Sequence, residues 1–169
     1  MKKLCIVLCL LLCLTGCGGE GAAPAEPAGP TCTISISCST ILDNMEDLDP
    51  EKVELVPEDG WLLEETTVSF TEGENVFDVL QRVTMEHKIH MEYVDTPLYN
   101  SAYIEGIGNL YEFDCGNESG WMYKVNGIFP NYGCSQYDLQ DGDVICWVYT
   151  CDLGRDVGDA YWLTENAAS

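Results

Sequence analysis

Three segments place their side chains on a period of two or read as unbroken β-prone runs, and they lie near the two ends of the chain. Thr31 to Ser37 reads Thr-Cys-Thr-Ile-Ser-Ile-Ser, Trp121 to Asn126 reads Trp-Met-Tyr-Lys-Val-Asn, and Val144 to Thr150 reads Val-Ile-Cys-Trp-Val-Tyr-Thr. A pleated strand sends successive side chains to opposite faces, so such segments belong to sheets and not to helices. Thr66–Phe70, Ile89–Val94 and Leu110–Cys115 join them as further strand candidates. Thr71-Glu72-Gly73-Glu74 opens a helix, its acids lying where the positive end of the dipole favours them. Val76, Phe77, Leu80 and Val83 then recur at helical spacing and form one buried face. Ser101–Gly108 is turn-rich, Gly116–Gly120 and Gly127 mark turns, and the acidic stretch Asp43–Lys52 holds a short helix at best. One helix among six or seven strands is an α+β fold with the helix packed on a mostly antiparallel sheet. A first strand, its hairpin partner, a helix and a late strand returning to the centre is β-grasp order. That order sets the first and last strands side by side and parallel.

The charge excludes whole classes of partner. Seven Lys and Arg stand against 29 Asp and Glu, a net charge of −22, and 46% of the residues are hydrophobic. Affinity for nucleic acid or an anionic lipid surface rests on Lys and Arg meeting phosphate, so neither is a partner here. The hydrophobic fraction, with 4 Trp and 9 Tyr, fills a real core and argues against disorder throughout.

The first residues read as an address. Lys2-Lys3 precede an uncharged apolar run from Leu4 to Leu14. Crossing a bilayer takes roughly 20 apolar residues, whereas a signal peptide needs only about 7–15. Leu14-Thr15-Gly16-Cys17 resembles the lipobox of bacterial lipoproteins, which implies lipidation of Cys17 and removal of residues 1–16. Five bases would then face the same 29 acids, a net −24. Residues 17–30 are small and proline-rich, without one large apolar side chain, and form a tether. The expected organisation is a signal peptide over 1–16, the tether over 17–30, a folded domain over 31–155 and a tail over 156–169. The expected location is the bacterial cell surface, lipid-anchored on the outer face of the membrane, with membrane contact through that anchor only.

Six cysteines lie beyond the leader: Cys32, Cys38, Cys115, Cys134, Cys146 and Cys151. An even number in an exported chain points to disulfides, and six cysteines allow 15 pairings among which sequence does not choose. No spacing is Cys-x-x-Cys, so neither a redox motif nor a zinc knuckle is written here. In β-grasp order Cys38 and Cys151 end the first and last strands, and Cys32 and Cys146 lie toward their starts. Both bridges would need a bulge, because 32 and 38 share parity while 146 and 151 do not. Cys115 and Cys134 are the remaining pair.

Gly120-Trp121-Met122-Tyr123-Lys124-Val125-Asn126-Gly127, continuing through Pro130, Gly133 and Tyr137 to Asp141-Gly142-Asp143-Val144-Ile145, resembles the transcobalamin-like C-terminal domain of bacterial surface lipoproteins. That domain is similar to the small β-domain of the animal cobalamin carriers transcobalamin and intrinsic factor. The resemblance runs from about Cys32 to Asp152. It implies a β-grasp-like fold and a corrinoid, cobalamin, as ligand rather than as a required cofactor. Animal carriers close their ligand against a large helical barrel, and nothing in this sequence is long enough to be one. The resemblance turns the hairpin Trp121–Tyr132 toward the ligand. Trp121, Tyr123, Phe129 and Tyr132 offer flat apolar surface to a macrocycle, and Asn126 and Asn131 offer polar contacts to amide side chains. The bland reading stands beside this one: alternation sends Trp121, Tyr123 and Val125 to one face, where they serve as core. Phe129–Tyr132, in a loop of Pro, Asn and Gly, is then the exposed set.

Other chemistry is weakly written. His87 and His90, flanked by Glu86 and Glu92, form a pair at i, i+3 that needs a further ligand to hold zinc or cobalt, so no metal site is expected. Asp47, Asp49, Glu51 and Glu58 fall on an EF-hand register, but Lys52 stands where the turn wants glycine and Pro50 interrupts it. No nucleophile elbow, P-loop, zinc-protease or dinucleotide motif occurs, and 29 acids make accidental carboxylate pairs uninformative. The sequence therefore reads as a lipid-anchored, non-enzymatic binding module for a corrinoid. The alternative is a surface interaction or adhesion module for protein or glycan without a small-molecule pocket.

Overall fold

The computed structural model describes residues 29–98 and 100–159, so the leader, lipidation site Cys17, the tether up to residue 28 and the end of the tail lie outside the described residues. Among these residues seven strands and one α-helix follow in chain order: β1 (Thr31–Ser37), β2 (Trp61–Ser69), α1 (Val76–His87), β3 (Met91–Thr96), β4 (Ser101–Ile107), β5 (Leu110–Tyr111), β6 (Gly120–Val125) and β7 (Val144–Thr150). They form a four-stranded sheet, β2-β1-β7-β6, and a three-stranded sheet, β3-β4-β5. The fold is α+β and dominated by two mostly antiparallel sheets. The single parallel pairing among these strands joins β1 to β7, with Ile34 beside Ile145 and Ile36 beside Trp147.

Alternation explains the two central strands. Cys32, Ile34 and Ile36 of β1 and Ile145, Trp147 and Tyr149 of β7 turn inward and are nearly or fully buried. They share one core with Val76, Val79, Leu80 and Val83 of α1 and with Ile104 and Ile107 of β4. Each fully buried side chain of this size contributes about 1.5–3 kcal/mol relative to exposure. The helix begins later than its acids suggest. Asn75 caps it, accepting from the Asp78 amide at 3.0 Å while the Asp78 carboxylate accepts from the Asn75 amide at 3.1 Å. Glu74 instead accepts from the Thr71 amide and pairs with Arg82. Thr84, buried in the last turn, donates to the Leu80 carbonyl four residues back, so its hydroxyl is satisfied.

Several expectations are corrected. β2 starts at Trp61, five residues before the predicted Thr66, and β3 runs over Met91–Thr96 rather than Ile89–Val94. Residues 101–107, read as turn-rich, are strand β4. Gly106 belongs there because a Cβ would lie 2.6 Å from the Tyr111 ring, so glycine lets β5 close on β4. The predicted strand Leu110–Cys115 survives only as Leu110–Tyr111, since the chain turns at Glu112.

None of the expected cysteine bridges is formed among the described residues. Cys146 is paired with Ser35, on the face opposite to that of Ile34 and Cys32, so Cys32 and Cys146 point away from each other. The register Ser37↔Val148 carries Cys38 to the level of Tyr149, two residues short of Cys151. Cys134 sits in a short 3₁₀ turn with its Sγ 3.6 Å from the Ala102 carbonyl. Cys115 lies elsewhere, its Sγ 3.4 Å from the Asn44 carbonyl.

Candidate ligand-binding site

A groove of about 960 Å³ runs along β6, the edge strand of the four-stranded sheet. Residues 120–123 of β6 form its floor. One wall is the turn after that strand, Gly127–Asn131. The other combines Glu112–Phe113 and Asn117–Ser119, ahead of β6, with Leu153, Gly158 and Asp159 beyond β7. Tyr103 of β4 closes one side. Its volume is at the upper end of the roughly 300–1,000 Å³ usual for small-molecule sites.

The floor is fixed from below. Trp121 and Tyr123 turn inward and are 9% exposed. The indole of Trp121 meets Tyr149 edge to face at 5.3 Å, and its Nε1 donates to the Leu110 carbonyl at 2.8 Å. Tyr123 packs on Trp147 and donates its hydroxyl to the Tyr132 carbonyl at 2.8 Å, tying the floor to the loop wall. Burial raises the Tyr123 phenol well above its ordinary range, so it remains a donor. These two rings are core side chains whose edges reach the groove.

The rim is apolar and wet. Ile128 is 71% exposed, Phe113 61%, Tyr103 46% and Leu153 41%. Phe113 adopts φ 69°, the left-handed region that a bulky side chain avoids at a cost of roughly 1–2 kcal/mol. Its amide donates to the Ser119 carbonyl at 3.1 Å, and the Asp114 carboxylate accepts from the Tyr111 amide at 2.7 Å. A tight turn thus holds an exposed ring at the lip. Tyr103 donates to Glu112 at 2.5 Å; burial first, then this carboxylate, pushes its phenol up to about 12. The remaining rim acids are Glu118, which pairs with Arg155 at 2.6 Å, and Asp159.

The six predicted contact residues separate. Trp121, Tyr123, Phe129 and Asn131 line the groove. Lys124 lies over the Phe129 ring at 5.8 Å. Tyr132 stacks on Tyr137 at 6.0 Å and lines a second cavity of about 340 Å³ instead. Tyr103 and Asn131 border both cavities. Asn126 lines neither: its amide donates to Asp143 at 2.8 Å and accepts from the Val144 amide at 2.9 Å, which stabilises the turn at the base of the hairpin. Sequence reasoning missed Tyr103, Glu112, Phe113, Ile128 and Leu153. Ile128 is legible as an apolar residue directly after the Asn126-Gly127 turn; the others come from distant parts of the chain.

His90 lies 2.9 Å from Glu92 and 3.2 Å from the Tyr111 hydroxyl, and its bond holds the Glu92 carboxyl below the usual range. Among the described residues no group of three or more metal-ligating side chains forms. No helix among them is long and apolar enough to cross a membrane.

A family model described as a domain of unknown function, DUF4430, matches residues 73–151, a span holding α1, β3 to β7 and most of the groove lining. No curated protein matches the chain. Among solved structures, a candidate metal-binding protein from Ruminococcus gnavus ATCC 29149 is similar at 16% identity and a TM-score of 0.42, over 72% of this chain and 96% of that one. Haptocorrin in complex with Cbi is similar at 14% identity and a TM-score of 0.48, over 73% of this chain. The chain spans 26% of haptocorrin's length.

Proposed function

We propose that this chain is a non-enzymatic binding module, lipid-anchored through Cys17 at the bacterial cell surface, whose groove along β6 takes a large, flat, amide-bearing ligand of the corrinoid class. The observation that carries this reading is the groove itself: about 960 Å³, floored by aromatic edges and rimmed by exposed Phe113, Ile128 and Leu153. Burying exposed apolar rims is the main gain available to a ligand here. The left-handed backbone at Phe113 supports it, since strain at an exposed ring is retained where a neighbouring site uses it. Asn117 and Asn131 supply donors and acceptors suited to amides. The carboxylates Glu112, Glu118 and Asp159, on a chain of net charge −22, disfavour an anionic ligand. The parallel contact of β1 with β7, followed outward by β2 and β6, supports a β-grasp-like description of the four-stranded sheet.

A second reading, a surface module for protein or glycan, is favoured by the exposure of Ile128 and Phe113, which a macromolecular partner would cover as well. One titration separates the two. Cyano- and aquo-cobalamin are added to the purified chain, with calorimetry and visible spectroscopy as readouts. Saturable binding in the micromolar range or tighter, weakened at least tenfold by Phe129→Ala, is the expected result. No heat and no spectral shift up to millimolar ligand overturns the corrinoid reading and leaves the macromolecular one.

A further inference from the structure

The groove wall hides a thiol pair that the sequence assigned to other partners. Cys115, 2% exposed, follows the turn that carries Phe113, and half-buried Cys151 follows the last residue of β7. The β6–β7 register pairs Gly120 with Thr150, which sets Ser119 beside Cys151. The surrounding backbone is held from several directions. Ser119 accepts from the Cys115 amide at 3.1 Å and meets the Tyr149 hydroxyl at 2.9 Å. The Leu153 amide donates to the Glu118 carbonyl at 2.9 Å, and Asp156 accepts from the Cys151 amide at 2.7 Å. Two thiols on segments already clamped together need little backbone movement to bond.

We infer that Cys115 and Cys151 are a disulfide site, closed after export, that staples the two segments of one groove wall, Glu112–Ser119 and Cys151–Asp159. The oxidant is a disulfide donor, either the disulfide of an envelope thiol oxidoreductase or a small-molecule disulfide. Cys151, the more exposed of the two residues, attacks the donor as thiolate and releases one donor thiolate. Cys115 then attacks the mixed disulfide and releases the second. One S–S bond is made in the protein and one is broken in the donor; the two protein thiols are oxidised, and their protons leave with the donor as two thiols. Burial raises both thiols above their usual range, and Asp47, Asp114 and Asp156 around the pair add to the effect. Thiolate is therefore scarce near neutrality, and closure without a catalyst is slow.

The test uses the full chain exported to the envelope of a bacterial host, with free thiols alkylated before lysis and peptides mapped by mass spectrometry. A cross-linked peptide pair holding Cys115 and Cys151 in most molecules is expected, together with thermal unfolding that moves to lower temperature when reductant is added. Cys115→Ser should leave Cys151 alkylated, and Cys151→Ser should leave Cys115 alkylated, with the other four cysteines unchanged. Both thiols fully alkylated in the parent chain, even after incubation of the purified protein with oxidised glutathione at alkaline pH, would overturn the inference. A bridge from either cysteine to Cys32, Cys38, Cys134 or Cys146 would overturn it equally. The mapping needs no groove ligand, so its outcome is independent of whether a corrinoid binds.

Discussion

The pair β1 and β7 and the rim of the groove are built on opposite principles. In the two central strands each inward position is apolar and each is buried, so one local pattern fixes register, face and neighbour together. At the rim the large apolar residues point outward, and the backbone under Phe113 is in a region its side chain disfavours. Local sequence and final position agree in the first region and conflict in the second. Conflict of that kind concentrates at sites where another molecule completes the packing. The contrast makes a stability map and a binding map of this chain nearly disjoint, and four measurements break or sharpen it.

The largest effect belongs to the central strands. Trp147 is 2% exposed and packs on Tyr123 under the groove floor. Trp147→Ala should lower the unfolding free energy by about 3–5 kcal/mol, read from urea unfolding. A loss near that of an ordinary surface change would mean that the core is elsewhere. Next comes the helix cap. Asn75→Ala removes one half of a reciprocal pair and should cost about 1 kcal/mol with no effect on ligand binding.

The rim should behave in the reverse way. Phe113→Gly removes an exposed side chain and relieves about 1–2 kcal/mol of left-handed strain, against about 0.5–1 kcal/mol of added unfolded-chain entropy, so stability should hold or rise slightly in the same unfolding experiment. The same variant should weaken ligand capture by about tenfold, the loss of one well-placed apolar contact of about 1.4 kcal/mol. Lower stability with unchanged binding would show that Phe113 serves the fold and not the site.

The same distinction explains what was legible in advance. β1 and β7 match their predicted bounds because alternation and burial coincide there. The first half of β2 was not legible: Trp61-Leu62-Leu63-Glu64-Glu65 does not alternate, and an edge strand tolerates exposed Trp61 and paired acids. β4 was masked by Gly106 and by Gly108 just beyond it; the use of Gly106 shows only in three dimensions, where it admits the Tyr111 ring. At the site, the hairpin residues Phe129 and Asn131 were found because they sit in one contiguous stretch, whereas Tyr103, Phe113 and Leu153 reach the groove from three other places in the chain. Asn126 shows the opposite failure, a polar residue read as a ligand contact whose amide instead bonds Asp143 and the Val144 amide. The cysteine pairing failed for a related reason. Parity flagged both strand-end bridges as strained, but only the Ser35↔Cys146 register shows that Cys32 and Cys146 occupy opposite faces.

The smallest predicted effect lies in the alkaline range and tests the border between the two regions. Tyr103 is a rim residue by exposure, yet burial of part of its ring and the bond to Glu112 push its phenol up to about 12. A phenol raised in the folded state favours folding below the ordinary tyrosine range, near 10. That contribution is lost as pH rises from there through about 12, because the unfolded chain gives up the proton first. Stability should therefore decline over this window, and Tyr103→Phe should make the decline shallower, since Tyr123 and Tyr149, raised further by burial, still contribute. Absorbance titration near 295 nm checks it: beside the late steps of Tyr123 and Tyr149, which both chains keep, the parent chain should show one further late-ionising tyrosine that is missing from Tyr103→Phe. If that step remains in the variant, the side of the groove at β4 is as wet as its tip, and the border between core and rim lies deeper, at Trp121 and Tyr123.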